Sequence, residues 1–558
     1  MSRPTRLEAG GRPLLVIAIA VGTLAAVIRL LTTAGFSNDH FFYLSRATQV
    51  LSGAWPVRDF IDPGFPLAWA LSAAAQLVGG RTLLSEAVLV ALAFGAGAGL
   101  TAWIAARGTG SITLALWAAG VQVAIFPRAY SYPKVLIYAV AAAMFAAYAV
   151  APSSRLIVRL AGVTAVAFLF RHDHGLYLAV ASCVLLAGVG GRHAAAGNGL
   201  DARPLAAPAV RRVALFGALA GAFVAPYIAY VQWAGGVGPY FAAGRHFSER
   251  EAGRTLLLFP GVDRLVWSAD VLSVGAYYVF WAAPVAAVAV AWTSPRATAA
   301  ARWTVTALAV VAALMNSGFL RDPLAARVPD AIVPPALLIA WVAAQEWSAW
   351  PHRPAGRWVI RGITALLLAV FAAGAGTIGN FAELLRRAEL ARWPPRPVLR
   401  WREVTAQLRE PYAERQMPTD LAFALVPFYR YVQACAPPNA RILVTGFAPE
   451  IAFYAARGFA GGHPSLYRGY FSAPADQRAI VARLDRELVL FVVASPEGVG
   501  DFADSFPIVN SYVTDRFVTL ADVPVDGFDV PARLQISRAF ASSRRDETTG
   551  WPCPGASR

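Results

Sequence analysis

Apolar runs of the length that spans a bilayer recur along this 558-residue chain, and they limit its fold more than any other feature. A hydrocarbon core about 30 Å thick takes roughly 20 residues of helix, because within it every backbone polar group must find its partner inside the chain. Residues 14–35 (LLVIAIAVGTLAAVIRLLTTAG) form the first such run. Others lie at 83–105, 111–127, 134–150, 156–170, 176–190, 213–233, 271–293, 303–318, 331–345 and 358–378, giving about eleven expected spans. With 57% hydrophobic and 15% charged residues and a mean hydropathy of +0.51, the chain reads as an α-helical polytopic membrane protein. Disorder and an ordinary cytosolic enzyme are excluded.

Arginine placement supplies the orientation. The net charge of +16, from 49 Lys plus Arg against 33 Asp plus Glu, would suit a nucleic-acid binder if it gathered on one polar domain. Here it punctuates the apolar runs, so it reads as topology and no nucleic-acid partner is expected. Arg3, Arg6 and Arg12 precede the first run, which ends without a cleavage pattern, so the N-terminus is expected in the cytoplasm. PLAWALSAAAQLVGG, within the first outer loop 36–82, is short for a crossing and reads as a helix lying along the outer surface. On that assignment Arg107, Arg155, Arg159, Arg192, Arg203, Arg211, Arg212, Arg296, Arg302, Arg353, Arg357 and Arg361 all fall inside. Were the short stretch a span, every later loop would change sides and the bias would reverse.

An odd number of spans leaves the chain after residue 379 outside. Its pattern of short β-rich runs (RILVTGF, LVLFVVAS, FVTLADV) and amphipathic segments predicts a small α/β domain. The expected organisation is thus a transmembrane module over 1–379 and an extracytoplasmic domain over 380–558, in the inner cell membrane. Cys183, Cys435 and Cys553 are too few for a disulfide framework and lack the spacing of a zinc site. Cys435 and Cys553 can pair if the C-terminal third lies outside the cytoplasm.

Chemistry-bearing residues concentrate in the outer loops. Asp39 follows the end of the first span, where a carboxylate can either face a cavity at the membrane surface and accept a proton, or stand solvated in the loop. Asp59 and Asp62 flank a turn-forming Pro-Gly, and Asp62 suits the start of the surface helix. FPRAYSYPKVLIY brings Arg128, Tyr130, Tyr132 and Lys134, the chain's single lysine. Cations there either meet a lipid-linked phosphate or snorkel to the interface. FLFRHDHGLYLAV adds Arg171, His172, Asp173 and His174, read as a buried Arg171–Asp173 pair or as an anion contact. His172 and His174 lack a further metal ligand. GRHFSEREAGR with Arg245 and FLRDPLAARVPD with Arg321 either line the same outer cavity or are solvated loops. In the C-terminal domain His463, Tyr467 and Arg468 are candidate acceptor contacts.

The order of a short inner N-terminus, one span, an acidic start to the first outer loop, Gly-Ala-Trp-Pro, Asp-Pro-Gly-Phe-Pro-Leu, a surface helix, an Arg and a long span resembles the N-terminal module of GT-C superfamily glycosyltransferases. These include the protein O-mannosyltransferases and the aminoarabinose transferases of lipid A. The resemblance covers residues 10–190, and the later spans by topology alone. It implies inverting transfer of a sugar from a polyprenyl-phosphate carrier to a glycan, lipid or protein acceptor on the outer side of the membrane.

Asp39 matches the aspartate that serves as base in the family. Many relatives have a second acid next to it, where this chain has His40, which either orients the acceptor, tunes Asp39 or is a spacer. Arg171 occupies the place of a cation that approaches the carrier phosphate in relatives, and Arg128 and Lys134 are expected to join it. Metal-dependent members carry carboxylates in the second outer loop. Its basic character here implies no obligatory divalent metal, and no cofactor is expected. The competing classes are a transporter or flippase for a lipid-linked anion, and a scaffold whose outer domain recruits partners.

Overall fold

The computed structural model describes residues 11–36, 38–195, 203–253, 269–320, 327–349, 354–390, 396–410 and 420–554. In chain order the long helices are α1 (Gly11–Thr32), α2 (Asn38–Leu51), α3 (Pro66–Gly79), α4 (Leu83–Thr109), α5 (Ile112–Ala124), α6 (Tyr132–Val150), α7 (Ser154–Phe170), α8 (His172–Ala195), α9 (Arg203–Ala234), α10 (Val237–Gly253), α11 (Ala269–Thr293), α12 (Ala299–Asn316), α13 (Val333–Ala349) and α14 (Pro354–Ile378). Every expected span coincides with one of these helices, and the short apolar stretch is the separate 14-residue helix α3.

Among the described residues, 8 helices are long and apolar enough to cross a membrane. The remaining three expected spans are the 13-residue α5 and the 17-residue α7 and α13. At 1.5 Å per residue α5 reaches about 20 Å, short of a bilayer core, which is why the strict count is lower than the sequence suggested.

The chain divides into two compact units: residues 1–32, 90–227 and 254–400 form the first, and residues 33–89, 228–253 and 401–558 the second. In the first unit α5, α7 and α12 open on Ser111, Ser153 and Thr298, whose hydroxyl oxygens accept the N–H of Leu114, Leu156 and Ala301. α6 packs against α7, α8, α12 and α13, so it is the inner helix of the bundle. Its apolar stretch is 67% buried, whereas that of α9 is 6% buried and leaves an apolar surface suited to lipid. Glycine sets the closest approach: a Cβ on Gly95 of α4 would lie 2.5 Å from the carbonyl oxygen of Gly22 in α1, so any larger residue would force the helices apart.

The second unit is built on a five-stranded sheet of order β2-β1-β3-β5-β4. β1 (Arg441–Thr445) runs parallel to β2 (Gly458–Phe459) and β3 (Val489–Ala494), while β5 (Ala532–Ser537) is antiparallel to β3 and to β4 (Phe517–Val523). β3 reads VLFVVA and is buried at every position, as a strand covered on both faces must be. Leu443, Ile480, Val492, Phe502, Phe506 and Val509 form part of the core on one side. A hairpin of β6 (Ala541–Arg545) and β7 (Pro552–Pro554) follows, and Cys553 in it is disulfide-bonded to Cys435.

The first outer loop belongs to this unit. Ala54 and Phe60 pack with Ala452 and Phe459. Ser45 donates to the carbonyl of Pro449 at 2.5 Å, Gln49 to that of Phe459 at 3.3 Å, and the Ile61 N–H to that of Gly462 at 3.0 Å. The apolar face of α2 is therefore covered by chain about 400 residues downstream.

Candidate functional site

In the first unit, three chain segments converge on one cavity of about 170 Å³, lined in part by Lys134, Arg171, Asp173, His174, Arg327 and Asp330. Lys134 enters from the first turn of α6, where Pro133 is pre-set for a helix start. Asp330 enters from the single 3₁₀ turn Val328–Ala331 that precedes α13. Their side chains form a buried ion pair. The Oδ1 atom of Asp330 is buried with no hydrogen-bond partner among the described residues.

Arg171 is the extended residue between α7 and α8; its N–H caps α7 by donating to Ala167 O at 2.9 Å. Its guanidinium stands 2.9 Å from Asp173 Oδ2, with both side chains about a third exposed. Asp173 Oδ1 accepts the His174 N–H at 2.9 Å, and the His174 ring hydrogen-bonds to the Tyr138 hydroxyl. The lining thus carries three cations against two carboxylates. Such an excess, held partly out of water by apolar helices, suits a phosphate.

The neighbouring candidates are nearby but differently engaged. The Tyr130 ring lies 5.5 Å from Lys134 Nζ, and the exposed Arg128 approaches the Tyr130 hydroxyl at 3.5 Å. Tyr132 is buried edge-on to Phe170 at 6.5 Å, and His172 stacks on Phe168 at 4.3 Å. The Arg171–Asp173 pair anticipated from the sequence is present, but it is about a third exposed where a buried pair was expected, because both side chains line the cavity. Arg327 and Asp330 belong to FLRDPLAARVPD, the loop read from the sequence as lining the outer cavity or as solvated, whereas Tyr138 was not singled out; a lysine in the first turn of an apolar helix is itself a signal that an anionic partner exists.

In the second unit, Asp39 sits in the first turn of α2 and is exposed. His40, the next residue, is fully buried: its Nε2 lies 2.7 Å from Glu86 Oε1, which also accepts from Ser72 Oγ at 2.8 Å. Phe36 stacks on the imidazole at 4.4 Å. His40 thus ties α2 to α4 and α3.

Asp59 holds Arg58 through two contacts of 2.8 Å and accepts the Trp55 N–H at 2.7 Å; the Arg58 hydrogen bonds keep its carboxyl below the usual carboxylate range. Asp62 accepts the N–H groups of Gly64 and Phe65 at 3.0 and 3.2 Å, an Asx turn that launches α3. Arg46, its guanidinium pushed down to about 10 by burial, donates to Ile61 O at 3.2 Å. Arg245 makes an exposed pair with Glu249 one turn along α10, at 3.2 Å. Arg321 lies outside the described residues. Of the C-terminal candidates, Tyr467 packs against Phe447 and Tyr470, Arg468 pairs with Asp501 at 3.2 Å on the surface, and His463 is buried.

The sequence matches no protein-family model and no curated protein. Among solved structures, the chain is similar to the crystal structure of ArnT from Cupriavidus metallidurans bound to undecaprenyl phosphate. The TM-score is 0.52 over 94% of this chain and 98% of that one, at 13% identity. The likeness is one of fold: this chain is an integral membrane protein with an ArnT-like fold.

Proposed function

We propose that this protein transfers a sugar from a polyprenyl-phosphate carrier to an acceptor hydroxyl at the outer face of the membrane, with inversion at the anomeric carbon. The observation that carries this reading is the cation-rich cavity of Lys134, Arg171 and Arg327 at helix ends in an ArnT-like bundle. ArnT was crystallised with undecaprenyl phosphate, which supports a lipid-linked phosphate as the ligand here. The disulfide between Cys435 and Cys553 supports an oxidising, extracytoplasmic location for the C-terminal domain.

In this mechanism the acceptor oxygen attacks the anomeric carbon as its bond to the phosphate oxygen breaks. Asp39 takes the hydroxyl proton, and polyprenyl phosphate departs with the electron pair. Arg171 and Arg327 meet the charge that grows on the leaving phosphate, while Lys134, matched by Asp330, fixes the shape of the cavity and contributes its field. Tyr130, 5.5 Å from Lys134 Nζ, and Arg128 beside it are assigned to the headgroup.

Purified protein in nanodiscs, given a radiolabelled polyprenyl-phosphate sugar and cell-envelope acceptors, should release polyprenyl phosphate and form a glycoside of opposite anomeric configuration. Donor movement between leaflets without a glycosidic product would favour a flippase. Neither transfer nor movement, with intact carrier binding, would favour a scaffold.

A further inference from the structure

A second cavity, of about 420 Å³, opens at the other end of α6. Lys134 stands in the first turn of that helix and Tyr148 in its last, so roughly 20 Å of axis separates the two cavities at 1.5 Å per residue. Arg211 and Arg212 line it from α9, Ser153 and Ser154 from the start of α7, Tyr148 from α6, and Ile157 supplies apolar wall. The sequence counted Arg211 and Arg212 only as part of an inside charge bias. Folding brings them against a different loop, the one between α6 and α7.

The chemistry of this lining favours an anion. Arg212 lies beside the Tyr148 hydroxyl, yet its Nη1 atom is buried with no hydrogen-bond partner among the described residues. A guanidinium N–H held in such a lining pairs most strongly with an anionic oxygen. Among the described residues no carboxylate lines the cavity. The α7 N-terminus adds the positive end of a 17-residue helix, and Arg155 and Arg159 continue along it on the surface. The volume lies within the range of small-molecule sites. The exposed Val150, Val158 and Val210 flank these segments in sequence and offer apolar surface of the kind that meets acyl chains.

We propose that this cavity binds a phosphate group, through the guanidinium groups of Arg211 and Arg212 and the hydroxyl of Ser153. Its source is either an anionic lipid headgroup or phosphate in solution. On the arginine-based topology this end of the bundle faces the cytoplasm, where anionic lipids attract basic residues. The site is distinct from the proposed donor site, and its existence does not depend on glycosyl transfer.

The test uses the full-length protein, delipidated in detergent and titrated with phosphatidylglycerol, phosphatidylcholine or inorganic phosphate under native mass spectrometry. Wild type should bind phosphatidylglycerol well above phosphatidylcholine. Arg211→Gln with Arg212→Gln should weaken that by about 100-fold, on the order of tenfold per lost charge-assisted contact. Arg107→Gln, outside the cavity, should leave it unchanged. Arg212→Lys keeps the charge and should retain most of the affinity, which separates loss of the site from misfolding; thermal unfolding of each variant checks the fold. Binding of phosphatidylglycerol that millimolar phosphate does not displace assigns the site to a lipid. Displacement, with phosphate binding that the double variant loses, assigns it to free phosphate. Equal binding of both lipids by wild type, or undiminished binding by a folded double variant, overturns the proposal.

Discussion

His40 and Glu86 meet at 2.7 Å with neither side chain exposed, while Asp39, one residue earlier on the same helix, is exposed. Successive helical residues point about 100° apart, so α2 can bury one polar residue as an anchor and present its neighbour outward. Removing one member leaves the other buried without its partner. Glu86→Ala should therefore destabilise the protein by about 3 kcal/mol, and the pair replaced together by His40→Phe and Glu86→Leu should lose less than either single change suggests. Thermal unfolding in detergent checks this, and an unshifted midpoint for Glu86→Ala would refute the anchor.

Asp39→Asn removes the proposed base while keeping its shape. Because the residue is exposed, the fold should be retained and the thermal midpoint should stay put. Turnover of a lipid-linked sugar should fall by roughly 10²–10⁴-fold, the contribution of a positioned general base. Turnover within a few-fold of wild type would remove Asp39 from the mechanism.

Lys134 and Asp330 neutralise one another in the cavity of the first unit. Each single substitution, Lys134→Met or Asp330→Leu, should cost about 3–5 kcal/mol, and the double variant should recover a large part of that. Arg171→Gln, at a position about a third exposed, should instead leave stability nearly unchanged and raise the donor KM. A double-mutant cycle read by unfolding, with donor kinetics in parallel, distinguishes the structural pair from the donor contact.

His463 responds to pH. Burial first, then Arg483 and Arg46, push its imidazole down from 6.5 to about 3. The folded state thus holds the ring neutral over a range in which the unfolded chain protonates it. That contribution to stability is whole above pH 6.5 and is lost as pH falls, by about 1.4 kcal/mol per unit until the folded value is reached. Unfolding midpoints between pH 7.5 and 4 should fall less steeply for His463→Gln than for wild type. Identical slopes would show that this ring is not the titrating group.

The Cys435–Cys553 bond closes a loop with a sequence separation of 118. In the chain-entropy account a closure of that length stabilises by about 5 kcal/mol. Cys553→Ser should lower the unfolding temperature, and the wild-type chain from the membrane should migrate faster without reductant than with it. Two freely alkylated thiols at these positions in protein from its native membrane would contradict the bond.

Much of the first unit was legible because its determinants are local. An apolar run of helical length declares a span wherever its neighbours lie, and each expected run became a helix. The Arg171–Asp173 pair was legible for the same reason, since its members are two residues apart. Lys134 announced the need for a partner but not which one, because Asp330 lies 196 residues away in a turn that looks like any other charged loop. Asp62 was readable as a turn former from Pro-Gly alone. His40 was not: nothing near it in sequence indicates that Glu86, 46 residues on, closes over it.

The sequence alone determined that this chain lives in a membrane, where its apolar helices run, and which loops carry the arginines, because backbone buried in hydrocarbon must satisfy its hydrogen bonds within the structure and each apolar run does so locally as a helix. Only tertiary structure decided that α2 is covered by the C-terminal sheet, that Lys134 is matched by Asp330, and that Arg211 and Arg212 share a cavity with Ser153. Those outcomes depend on which buried charges and apolar faces find each other across hundreds of residues, and solvation within the folded chain, not spacing along it, sets that choice.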